Sequence, residues 1–268
     1  MKNLALRSLT GGLFGLVVIS TAWSPLSIQC VVFGLFMLQA LREFYRLAEK
    51  RQDPNVIIGM TSGLLVYVFL CLKPFGYLKE THLVMLFPFV LLTGVIELWR
   101  NSKTPLENFA LYLLGLVYIT VPMFLLVTLS QETFGDMPLS IGMFALIWTN
   151  DTFAYLSGMV FGKRPLFERI SPKKTWEGTI GGVVATAGVA WILGHWQQAE
   201  HSDFWLISGI LISVSSIIGD LLESLFKRSA GVKDSGNILP GHGGVLDRFD
   251  AVLLSAPFFY SWYMLYFN

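Results

Sequence analysis

The sequence predicts an all-α integral membrane protein, and three features of its 268 residues predict it. The first is composition: 54% of residues are hydrophobic and only 14% charged, where a soluble domain carries about 25% charge. A soluble exterior of this size cannot be covered by 19 Lys+Arg and 18 Asp+Glu. With mean hydropathy at +0.60, a single water-soluble globule is excluded. The second feature is spacing, since apolar runs near the ~20 residues that cross a bilayer alternate with short polar breaks. The third is the one-sided placement of the cations.

In order along the chain, spans are expected at 9–23, 25–41, 55–72, 83–99, 109–129, 139–162, 179–196, 204–219 and 249–267. This is a polytopic bundle of about nine transmembrane helices. Ser24-Pro25 fits either a tight turn or a kink. No period-two alternation of the kind a transmembrane barrel needs competes with the helices. Lys2 and Arg7 before an apolar run resemble a signal peptide, but Ala22-Trp23 is a poor cleavage site, so a retained first helix is expected. Cys30 and Cys71 lie in apolar runs without metal or disulfide spacing and read as small hydrophobes.

Cytoplasmic loops collect Lys and Arg. With the N-terminus inside, all but two of the 19 cations fall on the inner side, the exceptions being Lys73 and Lys79. One miscounted span would scramble every later loop. The split therefore supports N-terminus in, C-terminus out. The division expected is 1–140, about five N-terminal membrane helices, and 141–268, a catalytic membrane half with cytoplasmic loops 163–178 and 220–248. A net charge of +1 gives no sign of a nucleic-acid partner.

The chemistry concentrates in the last inner loop. If span eight continues helically, Asp220, Glu223, Ser224 and Lys227 share one face, at i, i+3, i+4 and i+7. Asp247 and Asp250 form a second i, i+3 pair at the entrance to the last span. Hard Mg2+ takes one or two carboxylates together with phosphate oxygens. Lys227, Arg228, Lys233 and Arg248 suit phosphate charge. Gly241, Gly243 and Gly244 let backbone N–H groups approach an anion. A solvated loop obeying only the topology rule would need no carboxylates.

The run Ser224-x-x-Lys227-Arg228-x4-Lys233-Asp234-x-Gly236-x3-Pro240-Gly241-His242-Gly243-Gly244-x-x-Asp247-Arg248-x-Asp250 resembles the signature of the phosphatidate cytidylyltransferases, the CDP-diacylglycerol synthases. Two further segments are similar to the same family: Ser171-Pro172-Lys173-Lys174-Thr175-Trp176-Glu177-Gly178, and Asn150-Asp151-Thr152 through Gly158 to Gly162-Lys163. The resemblance spans roughly the last 120 residues. Ala251 departs from it, since Ser often follows the Asp-Arg-x-Asp element, so that position is given no role.

What the resemblance implies is transfer of CMP from CTP to phosphatidate, giving CDP-diacylglycerol and pyrophosphate, with Mg2+ and with or without a second cation. On this reading Asp220 and Asp247 are metal ligands, with Glu223 and Asp250 as partners. Lys173, Lys174, Thr175 and Ser224 contact substrate. His242 fits either a base or a hydrogen-bond donor to phosphate. The resemblance also implies a homodimer through the membrane helices. The short chain favours a bacterial cytoplasmic membrane, with the active site on its cytoplasmic face. Asp151, midway along span six, reads as a carboxylate lining a polar cavity or as a helix-to-helix hydrogen bond with Tyr155. Gly158 and Gly162 read as a helix-packing pair. Two rivals are weighed against this. A CTP-dependent lipid kinase would need a general base such as Asp151 or His242. A transporter would show internal repeats, which the sequence lacks.

Overall fold

The computed structural model describes residues 2–197, 201–236, 238 and 243–267, and the side chains of 2–9, 80 and 197 are outside that description. The helices are α1 (Lys2–Ala22), α2 (Leu26–Ala48), α3 (Val56–Cys71), α4 (Leu86–Arg100), α5 (Pro105–Gly115), α6 (Val121–Gln131), α7 (Leu139–Phe161), α8 (Trp176–Gln197), α9 (Ser202–Ser229) and α10 (Leu246–Phe267). A π turn, Leu116–Thr120, fuses α5 and α6 into one 27-residue rod. Five of the described helical segments are long and apolar enough to cross a membrane: Leu26–Ala48, Thr81–Arg100, Pro105–Gln131, Trp176–Trp196 and Ser202–Ser229. Leu98, Trp99, Val160, Val184 and Leu265 stay exposed on their helices, as expected of side chains that face lipid.

Local chemistry sets the boundaries. Pro25 starts α2, so Ser24-Pro25 is a turn between two helices. Asn55 caps α3 by accepting the N–H groups of Ile57 and Ile58 at 2.9 and 3.1 Å. Pro105 opens α5, where its missing N–H costs nothing.

Three expectations change. Helix α9 runs to Ser229, ten residues beyond the expected end of span eight, so Asp220 to Lys227 are helical and the last inner loop starts only at 230. Two short antiparallel ribbons join the helices, β1 (Thr133–Phe134) with β2 (Met137–Pro138), and β3 (Pro165–Phe167) with β4 (Ser171–Thr175). The Ser171-Pro172-Lys173-Lys174 segment, whose Ser-Pro suits the start of a helix or a turn, is therefore a strand. Pro172 pushes Ser171 into extended backbone, and the ladder to β3 does the rest. Cys30 and Cys71 carry free thiols, in line with their apolar reading.

The chain forms two compact units. The first comprises 1–128 together with 229–248. Its core is Phe33, Met37, Leu41, Tyr45 and Tyr112. A polar cluster closes it where α4 turns into α5: buried Glu97 pairs with Arg100 and accepts from Tyr112 Oη at 2.9 Å and Asn108 Nδ2 at 3.2 Å. The second unit comprises 129–228 and 249–268. Phe134, Phe204, Trp205 and Phe259 fill its core, with Phe134 stacked on Phe204 at 5.7 Å. Asn150 Nδ2 donates to Ser216 Oγ at 3.2 Å and Ser215 Oγ to Ser255 Oγ at 3.1 Å, tying α9 to α7 and α10. Such bonds contribute about 0.6 kcal/mol each inside a membrane. Gly158 packs against Gly178 of α8, in keeping with its helix-packing reading.

Candidate active site

In the second unit, Asp220, Glu223 and Asp250 each offer an oxygen, all within 4.8 Å of one another. Helix α9 supplies the first two at i and i+3, and the first turn of α10 supplies the third. Gly219 makes the meeting possible, because a Cβ there would lie 2.6 Å from the Asp250 carbonyl oxygen. Two cations stand on this cluster. Lys174, from β4, pairs with Asp220, and Lys227 pairs with Glu223 one turn along α9. Glu223 is fully buried and Lys227 nearly so. Ser224 Oγ donates to Asp220 Oδ1 at 3.3 Å. Asp151, exposed on α7, feels the charges of Lys174 and Asp220.

The donor set is three hard oxygens, and their spacing suits a small divalent cation after slight contraction. Three carboxylates against two lysines leave one net negative charge. A divalent cation would turn that into net positive charge, which attracts phosphate.

A second carboxylate pair, in the first unit, has different surroundings. Glu43 of α2 is buried, and it accepts the N–H groups of Val245 and Leu246 at 3.0 and 2.8 Å. It also accepts Ser235 Oγ at 3.0 Å and Gln39 Nε2 at 2.8 Å. Asp247 Oδ2 accepts from the N–H and the hydroxyl of Ser235, both at 2.9 Å, and from the Gly244 N–H at 2.7 Å.

Two residues expected to meet phosphate have partners within the protein. The Gly244 N–H is donated inward to Asp247 rather than outward to an anion. Glycine is needed there because a Cβ would collide with Glu43 Oε2. The Thr175 hydroxyl, expected to face phosphate, caps α8 by accepting the Gly178 N–H at 3.2 Å. Asp247 is not in the carboxylate cluster found among the described residues. Gly243 is in left-handed backbone at φ +81°, and it allows the chain to turn into α10. Lys173, Arg228, Lys233 and Arg248 are exposed. Gly241 and His242 lie outside the described residues.

Glu43 was not foreseen, nor was Ser235. The available signal was the Gln39/Glu43 pair, four residues apart on an otherwise apolar helix face with Ala40 and Phe44.

The model of the Cytidylyltransferase family matches residues 5–266. The chain belongs to the phosphatidate cytidylyltransferase family. It is 36% identical over 232 residues to the phosphatidate cytidylyltransferase of Rickettsia prowazekii, covering 82% of this chain and 96% of that one. The Haemophilus influenzae enzyme of the same name is 33% identical over 261 residues, 87% of this chain and 88% of its own. The Bacillus subtilis enzyme is 31% identical over 268 residues, 97% of each. Membership reaches well beyond the C-terminal motifs and makes this chain a nucleotidyltransferase. Helices α1 to α6, featureless in motif terms, belong to the cytidylyltransferase match as fully as the signature does.

Proposed function

We propose that this cytidylyltransferase transfers CMP from CTP to phosphatidate, releasing pyrophosphate and leaving CDP-diacylglycerol in the membrane. The observation that carries the reading is the Asp220–Glu223–Asp250 cluster flanked by Lys174 and Lys227. Phosphatidate brings its own nucleophile, a phosphate oxygen, so no serine, cysteine or histidine nucleophile is required. An oxygen–phosphorus bond forms at the α-phosphate of CTP as the bond to the β-phosphate oxygen breaks. The protein's task is to hold two polyanions in line and to stabilise charge on the α-phosphate and the leaving group.

Asp220, Glu223 and Asp250 would hold Mg2+, with or without a second cation. Bound there, the ion would neutralise phosphate oxygens as they gather charge. Lys174 and Lys227 keep the carboxylates oriented and are close enough to turn toward phosphate. Arg228 and Lys173, exposed in the same unit, supply further positive charge. The family resemblance gives Lys233 and Arg248 the same task. Asp151, near enough to feel the charge of Lys174, would contribute to substrate binding.

The start of α8, the end of α9 and the start of α10 share one membrane face if the spans alternate. The cation count makes that face cytoplasmic. This supports nine spans, N-terminus in and C-terminus out, in a bacterial cytoplasmic membrane. A homodimer completes the reading. The deciding experiment uses purified protein in detergent with phosphatidate, Mg2+ and CTP labelled at either the α- or the γ-phosphate. Lipid labelled only from the α-position is expected. Lipid labelled from the γ-position would replace this reading with a kinase.

A further inference from the structure

We infer that Glu43 is a positioning residue for the transfer reaction: through four accepted hydrogen bonds it fixes Ser235 and presets the first turn of α10 at Val245 and Leu246. The inference rests on the proposed function only for its activity readout.

A carboxylate offers about four acceptor sites. In Glu43 the donors are Val245 N–H, Leu246 N–H, Ser235 Oγ and Gln39 Nε2, at 2.8–3.0 Å. Buried carboxylates are costly unless saturated in this way. The arrangement also has a geometric purpose. The N–H groups that open a helix have no partner within it. Glu43 takes those of Val245 and Leu246, and Asp247 takes that of Gly244. Three successive N–H groups are thus fixed by two carboxylates, with the Ser235 hydroxyl shared between them.

The packing is tight enough to specify glycine. A Cβ at Gly236 would lie 2.7 Å from Glu43 Oε1, and one at Gly244 would collide with Oε2. Helix α10 carries Arg248 and, one turn beyond Leu246, Asp250. Setting the first turn of α10 therefore sets the direction in which Asp250 leaves the backbone. This gives α2 a role in the chemistry although it carries none of the signature residues.

The test compares wild type with Glu43→Gln and Glu43→Ala in detergent, by amide hydrogen exchange of the 243–248 peptide and by steady-state kinetics. Glutamine keeps one acceptor oxygen but aims an NH2 at donors, so it should loosen the segment while preserving volume. Exchange of the Val245 and Leu246 amides should accelerate at least tenfold, with amides of α5 and α8 unchanged. Activity per folded protein (kcat/KM for CTP) should fall ~10–100-fold, the range seen when residues that orient reactive groups are lost.

Because Glu43→Ala is the variant most exposed to misfolding, Gly244→Ala supplies an independent arm. In wild type it should be severely impaired, and in the Glu43→Ala background it should add less than threefold further loss. Unchanged exchange in Glu43→Gln overturns the inference. So does a lowered Tm with normal kcat/KM per folded molecule, which marks a merely structural residue. So do additive effects of Glu43→Ala and Gly244→Ala. If wild type fails to label lipid from CTP while exchange responds as expected, the proposed reaction fails and the positioning of α10 stands.

Discussion

Two groups of carboxylates sit at helix ends in this chain, and they differ in what surrounds them. Asp220, Glu223 and Asp250 face one another, with two lysines as counter-charges. Glu43 and Oδ2 of Asp247 instead accept from neutral donors, backbone N–H groups among them. Glu43, with both oxygens accepting from donors, serves as an anchor, and Asp247 gives Oδ2 to the same purpose. Carboxylates crowded together repel, and a cation relieves that repulsion. The same residue type is thus a binding group in one place and a structural clasp in the other, according to partners alone.

The comparison is broken most directly at Asp220. Asp220→Asn is expected to reduce incorporation of CTP into lipid by more than the ~100-fold typical of losing an outer partner, with insertion and Tm unchanged. Adding EDTA to wild type should have the same effect. Turnover within threefold of wild type in either case would remove the cluster from the chemistry.

Next in size is Lys227→Met, which leaves buried Glu223 without its lysine. Stripping one member of a buried pair costs about 3–5 kcal/mol, so a large drop in Tm is expected. Adding Glu223→Gln should restore the Tm but not the activity. A double variant no more stable than the single one would show that the pair does not act as a unit.

Asp247→Asn probes the clasp and should be smaller at the level of stability. Asparagine keeps one acceptor oxygen, so its bonds to the Ser235 and Gly244 N–H groups pass from charged to neutral acceptor and weaken by about 1 kcal/mol each rather than vanish. Loss of activity should be accompanied by faster amide exchange at Gly244 and Ser235. Activity lost with exchange unaltered would return Asp247 to the role of metal ligand that its motif suggests.

Ser224→Ala removes one bond of 3.3 Å and should change kcat/KM less than threefold. A larger loss would bring Ser224 into contact with substrate.

Much of the molecule is legible in the sequence because lipid imposes a simple rule. Apolar length marks each helix, and the expected spans coincide with helical segments throughout the described residues. The i, i+3, i+4, i+7 spacing of Asp220, Glu223, Ser224 and Lys227 by itself places them on one face. The 171–175 strand is less legible, because a proline, a serine, a threonine and two lysines suit a turn, a strand or a helix start. Pairing with Pro165–Phe167 decides among them. Glu43 is the least legible, since a glutamate among arginines at a helix end looks like surface charge until Ser235, Val245 and Leu246 donate to it.

The sequence alone determined the membrane class, the helix order, the family and the residues on one face of α9. Those depend on composition and on contacts within a few residues. Only the tertiary structure decided that Asp250 joins Asp220 and Glu223, and that Glu43 and Asp247 both take hold of Ser235 and the start of α10. Each of these depends on residues up to 203 positions apart. Hydrogen-bond saturation of a carboxylate is a property of its neighbours in space, which no local spacing records.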